Sequence, residues 1–137
     1  MMKKLLPQAT WLYANKLKNR RNGMYNVRQI LNDFMSGVGK VSEIDGSFVK
    51  TFLGFDGSAG GELPDKTKEL IGVAIGAYNR CQYCIVVHVY NAYKAGATKK
   101  EIIEAAEVAI AFGGGPSMAY TATVLIDAAN EFEHDFD

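Results

Sequence analysis

Apolar residues recur at intervals of three and four along most of this chain, and no stretch alternates polar with apolar long enough to make a strand. That spacing puts apolar side chains on one face of a helix, so the chain can fold only as a set of packed helices. Val27, Ile30, Leu31, Phe34, Met35 and Val38 mark one helix, weakened near its end by Gly37 and Gly39. Ile44, Phe48, Val49, Phe52, Leu53 and Phe55 mark a second, with Asp45 or Ser47 near its start. A Met and aromatic stripe at this spacing reads as core. The segment 56–61, Asp-Gly-Ser-Ala-Gly-Gly, is a flexible link: no strand precedes it and no Gly-Lys-Ser/Thr follows, as a phosphate loop requires.

Beyond the link, Leu63-Pro64-Asp65 opens a run whose polar break at Asn79-Arg80 divides it into two helices, 65–79 and 82–95. Asp65 is a suitable N-cap for the first, and Gly96 a suitable stop for the second. Thr98-x-x-Glu101 is a capping-box signature for a helix reaching about Phe112. The apolar positions of that helix wrap most of the way round, which predicts a central or interfacial place. Gly113-Gly114-Gly115 breaks it, and Pro116 suits the first turn of a last helix through Phe132. The acidic tail from Glu131 to Asp137 is expected to fray. Residues 1–22 form a weak helical or irregular arm, with Trp11 as an anchor to the body or to a neighbouring subunit. The expectation is therefore one all-α domain over residues 1–137, a bundle of about six helices.

Bulk properties exclude several classes of function. Fifteen Lys and Arg balance fifteen Asp and Glu, and the basic residues are scattered apart from Lys16 to Arg21. That cluster reads as a solvated helix face, so no nucleic-acid partner is expected. Two lysines and a very short apolar run before Pro7 make a poor signal peptide. No stretch approaches the roughly 20 apolar residues of a membrane span. A cytoplasmic location without a membrane partner follows, and there a C-x-x-C pair is more often catalytic or metal-binding than a structural bridge.

Such a pair exists. Cys81 and Cys84, the two cysteines of the chain, open the second arm of the helical hairpin, and His88 follows Cys84 by four residues. The helical repeat makes Cys84 and His88 neighbours on one face, with Cys81 on the same side. Glu69 interrupts an otherwise apolar run in the first arm. On one continuous helix Glu69 and Cys81 would stand about 18 Å apart at ~1.5 Å per residue, too far for shared chemistry. A turn at Asn79-Arg80 folds the arms back and brings Glu69 level with His88, with Cys84 one turn nearer the bend. The result is a thiol, an imidazole and a carboxylate in a row beside a second thiol. Other uses of the pair fit less well. Zinc would need a further ligand, and the other histidine, His134, lies in the tail. A c-type haem site needs His directly after the second cysteine, where Ile85 stands, and a thioredoxin-like fold needs strands. Small cysteines buried at a helix junction would leave Glu69 and His88 unexplained. No metal and no cofactor are expected.

The pattern E-x11-C-x-Y-C-x3-H, carried by Glu69, Cys81, Tyr83, Cys84 and His88, resembles the AhpD-like alkylhydroperoxidase core of the carboxymuconolactone decarboxylase superfamily. The small-residue turn Ala95-Gly96-Ala97 and the glycine-rich turn Gly113 to Pro116 agree with it, so the similarity spans roughly residues 40–132. Gln82 and Tyr83 stand between the cysteines, where some members carry a histidine. The resemblance implies an all-helical, oligomeric thiol oxidoreductase, a trimer or a hexamer. Thiolate is the reactive form of cysteine, and a helix N-terminus together with His88 and Glu69 would favour it. On this reading Cys84 attacks a hydroperoxide and becomes a sulfenic acid, and Cys81 condenses with it to a disulfide. An external thiol reductant then resets the pair. Two alternatives remain: a decarboxylase-like enzyme acting on a small organic acid, and a non-enzymatic thiol sensor or dithiol carrier.

Overall fold

The computed structural model describes residues 23–55 and 60–137. The arm expected over residues 1–22, with Trp11, and most of the 56–61 link lie outside them. Every described element is helical. Helix α1 runs Val27–Phe55, α2 Asp65–Asn79, α3 Gln82–Lys94 and α4 Lys99–Gly113. The last helical run comprises α5 (Gly115–Tyr120), a π-helical turn (Thr121–Leu125) and α6 (Ile126–Glu131).

The first two expected helices are joined. Asn26 starts α1, its side-chain oxygen accepting from the Gln29 amide at 3.1 Å. The helix passes through Gly37 and Gly39, which do not end it as expected. It kinks instead at Asp45, whose backbone (φ −142°, ψ 81°) is not helical. The Asp45 carboxylate accepts from the Phe48 amide at 3.0 Å and the Ser47 hydroxyl at 2.9 Å. It thus caps the second half of α1, and those hydrogen bonds hold its carboxyl below the usual carboxylate range.

The stripe read as core along α1 is mostly not core within one chain. Val27 and Val49 are buried, but Met35, Ile44, Phe48, Phe52 and Leu53 are exposed. Periodicity shows which side chains share a face; it does not show that the same chain covers that face.

The buried centre lies between α2, α3, α4 and the last helical run. Val73 of α2, Ile85 and Val89 of α3, Ile102 of α4, Leu125 of the π turn and Phe132 are fully enclosed. Helix α2 begins at Asp65 rather than after it: Pro64 holds the cap position without a side-chain hydrogen bond, and Asp65 is an acid in the first turn. The capping box of α4 forms as expected, with the Glu101 amide on Thr98 Oγ1 and the Thr98 amide on Glu101 Oε2. Those contacts and Lys66 hold the Glu101 carboxyl below its usual range.

Two features of the last run depart from expectation. The helical ladder widens into a π turn at Thr121–Leu125, where Thr121 Oγ1 donates to the Ser117 carbonyl and Thr123 Oγ1 to that of Ala119. The tail does not fray. Phe132 is buried, and Tyr90 meets Phe132 and Phe136 edge-on with ring centroids 5.3 and 5.0 Å apart. Arg28 reaches from α1 to Asp135 at 2.7 Å and also pairs with Glu131, which raises its pKa. Two aromatic residues among the acids of the tail outweigh its charge.

Candidate functional site

The α2–α3 turn is built by backbone geometry. Arg80 adopts a left-handed conformation (φ 56°, ψ 41°), the only described non-glycine residue with positive φ. Its amide donates to the Ala77 carbonyl, and the Cys81 amide donates to that of Gly76. This is the paired closure by which helices stop on a left-handed residue, usually glycine. Helix α3 ends on the same pairing, with Gly96 in the glycine position. Arg80 therefore adopts a backbone that costs a non-glycine residue about 1 kcal/mol or more.

The closure delivers Cys81 directly to the N-terminus of α3. Its backbone is extended, and its sulfur accepts from the Cys84 amide at 3.2 Å, so Cys81 is itself the N-cap. The two cysteines are joined as a disulfide, with Cα atoms 5.3 Å apart. Both sulfurs thus sit at the positive end of the α3 dipole.

His88 lies one turn further along α3 and meets Glu69 of α2. Glu69 is 6% exposed, and its Oε2 stands 2.7 Å from His88 Nδ1. A carboxylate only accepts, so Nδ1 carries the hydrogen, and in the neutral imidazole the lone pair is then on Nε2. A buried carboxylate without such a donor would be costly, which accounts for the acid in an apolar run.

Two glycines on α2 make room for this arrangement. A Cβ on Gly72 would lie 2.5 Å from His88 Nδ1 and 2.6 Å from its Cγ. A Cβ on Gly76 would lie 3.0 Å from the Ile85 amide nitrogen and 3.3 Å from the Cys84 Cβ. Gly72 seats the imidazole and Gly76 seats the start of α3. Neither glycine stands out by residue type alone. Their signal is present nevertheless: Glu69, Gly72 and Gly76 fall three and seven residues apart, on one helix face.

Cys84 and His88 open onto a cleft of about 440 Å³, walled by Lys68, Ile71, Gly72, Ile75 and Gly76 of α2. Glu69 also lines a second, polar cleft of about 380 Å³ with Asp65, Asn91 and Lys94. Tyr83 points elsewhere: it lines an apolar hollow under the kink of α1, its ring 6.4 Å from that of Phe34. The structure therefore brings together all four residues singled out in the sequence, Cys81, Cys84, His88 and Glu69. It sets Tyr83 beside them rather than among them. Among the described residues no three His, Cys, Asp or Glu side chains converge as metal ligands would, and no helix is long and apolar enough to cross a membrane.

The profile of the carboxymuconolactone decarboxylase family matches residues 47–127, from the second half of α1 into α6. The chain belongs to that family. Its likeness extends to the solved structure of a carboxymuconolactone decarboxylase family protein from Legionella pneumophila. The TM-score is 0.69 at 30% identity, over 81% of this chain and 97% of that one. An uncharacterised protein of Cupriavidus necator is 36% identical over 72 residues, 51% of this chain and 64% of the relative's length. A protein of Paracoccus denitrificans, described as uncharacterised protein 4 in the cox locus, is 34% identical over 92 residues, 66% of this chain and 83% of its own. The family match encloses Glu69, Cys81, Cys84 and His88, so the whole hairpin lies inside the family's shared region.

Proposed function

We propose that this family member is a thiol-dependent oxidoreductase that reduces alkyl hydroperoxides by cycling its Cys81–Cys84 pair between dithiol and disulfide. The observation that supports the reading is that Cys84 of a disulfide-bonded pair and a His88 held by the buried Glu69 face one cleft. In the reduced protein, His88 Nε2 takes the Cys84 proton while Glu69 holds Nδ1–H and steadies the imidazolium. The Cys84 thiolate attacks the terminal peroxide oxygen and the O–O bond breaks. The departing alkoxide takes the proton from His88 and leaves as the alcohol. Cys81 then attacks the sulfenic sulfur of Cys84, water departs, and the disulfide closes. An external dithiol returns two electrons and two protons by exchange. One hydroperoxide and one dithiol thus yield alcohol, water and a disulfide.

On this reading Cys84 is the nucleophile, Cys81 resolves, His88 shuttles the proton and Glu69 positions His88. The chain works as a single cytoplasmic domain, without a nucleic-acid or membrane partner. It associates with copies of itself as a trimer or hexamer, which the exposed apolar residues of α1 and α4 favour, Phe48 at 61% and Phe112 at 81% exposure among them. The family name also supports a second reading, decarboxylation of a small organic acid, in which the thiols are not consumed.

The test is intact mass and thiol alkylation of the fully reduced protein after one equivalent of cumene hydroperoxide. Loss of two hydrogens and of both alkylatable thiols, absent in Cys84→Ser, is the expected result. Thiols that stay free would overturn the peroxidase reading and move decarboxylation ahead.

A further inference from the structure

The cleft in front of Cys84 has a polarity along its length. Lys68, Ile71, Gly72, Ile75 and Gly76 follow one another at helical spacing on α2, so they form one stripe. Gly76 packs against Cys84 and Gly72 against His88, which fixes the register of that stripe to the chemistry. The thiol end of the cleft lies level with Gly76. Lys68 lies eight residues back, about 12 Å along the axis at ~1.5 Å per residue. Between the two ends the walls are Ile71 and Ile75, exposed by 46% and 53%, an apolar surface left uncovered beside the thiol. At the far end the Lys68 ammonium group donates to the Gly60 carbonyl, a neutral acceptor, and among the described residues no carboxylate pairs with it. The Glu69 carboxylate is turned away to His88, so it does not neutralise Lys68.

We propose that this cleft selects amphiphilic acids: an apolar chain lies along Ile71 and Ile75, and its carboxylate ends on Lys68. Lys68 is then a specificity-determining residue. Given the peroxidase reading, on which this inference rests, the preferred oxidant is a fatty-acid hydroperoxide whose peroxide group lies well along the chain from its carboxylate. Hydrogen peroxide would use neither the apolar walls nor the cation. The peroxide accepts two electrons from the Cys84–Cys81 pair and leaves as the hydroxy acid and water, with the external dithiol closing the cycle.

Two measurements test this. The first needs no turnover: octanoate and methyl octanoate are compared as protectants of reduced Cys84 against iodoacetamide, in wild type and in Lys68→Met. Octanoate is expected to protect at a concentration about three- to fivefold lower than the ester, the scale of a partly exposed ion pair. That preference is expected to vanish in Lys68→Met, survive in Lys68→Arg, and shrink as salt is raised. The second measurement is the ratio of kcat/KM for 9-hydroperoxyoctadecadienoate over its methyl ester. A ratio cancels any general loss caused by the substitution. It should fall from about three- to fivefold towards one in Lys68→Met. Equal protection by acid and ester in the wild type, or a preference unchanged in Lys68→Met, overturns the inference. Octanoate protection that follows Lys68, with no oxidation of the thiols by any hydroperoxide, would support the acid site and overturn the peroxidase reading instead.

Discussion

Replacing Gly72 by alanine puts a methyl carbon 2.5 Å from His88 Nδ1, 2.6 Å from Cγ and 2.8 Å from Cε1. Three ring atoms inside van der Waals contact cannot be relieved by a small rotation, so the imidazole must leave its seat. Moving it separates Nδ1 from Glu69 Oε2, now 2.7 Å apart, and strands a carboxylate that is 6% exposed. The opposing terms can be ranked. Alanine in a helix interior gains about 1 kcal/mol over glycine. Overpacking costs about 1–3 kcal/mol, and a buried acceptor without its donor about 1–3 more. The net is a loss of about 1–5 kcal/mol, measured as a shift in the denaturant midpoint of the oxidised protein. The rate at which cumene hydroperoxide oxidises the reduced protein should fall by about 10²-fold, because the proton acceptor is displaced by roughly an ångström or more. Gly39→Ala is the control: nothing lies within 4 Å of its Cβ, so it should stabilise α1 by about 0.5–1 kcal/mol. If Gly72→Ala is as stable as the wild type and is oxidised as fast, the close seating of His88 on α2 is wrong.

Glu69→Gln keeps the shape of the buried group but removes the charge that steadies an imidazolium, so oxidation by hydroperoxide should slow by roughly 10²-fold; an unchanged rate would leave Glu69 with a packing role alone. Tyr93 gives a pH signature away from the site. Its hydroxyl donates to the Ala129 carbonyl at 2.6 Å, and burial, with the Glu133 charge second, pushes its pKa up from 10.0 to about 12. The folded state keeps this phenol neutral where the unfolded chain ionises it. Its contribution is therefore complete below pH ~10 and lost as the pH rises towards ~12, on the order of 2 kcal/mol. Urea midpoints across that range should fall less steeply in Tyr93→Phe than in wild type; parallel curves would refute the assignment.

Much of the fold was legible in the amino-acid sequence because helices are local objects. Their faces, stops and caps are written within a few residues of one another: Asn79-Arg80 as a break, Gly96 as a left-handed stop, Thr98 and Glu101 as a capping box. The four residues of the candidate site were legible for a related reason. Cys84 and His88 share a face by spacing alone, and Glu69 stood out as a charge in an apolar run. Even the meeting of Glu69 with His88 followed from a single break between two helices of known rise, since such a hairpin has one register.

Contacts between elements distant in the chain had no such local signature. The exposure of the α1 stripe depends on what the second half of that helix has beside it. The order of the tail depends on Tyr90 and Arg28, dozens of residues away, supplying partners to Phe132, Phe136 and Asp135. Gly72 and Gly76 were visible as letters, but their use became plain only once an imidazole and a backbone amide were found where their side chains would be. The cleft itself, with Lys68 at one end and Cys84 at the other, belongs to two helices and to neither alone. Residue type and spacing determined which chemistry this chain carries. The packing of α2 on α3 decided where that chemistry opens and what can reach it, because a cavity is the space several elements leave between them.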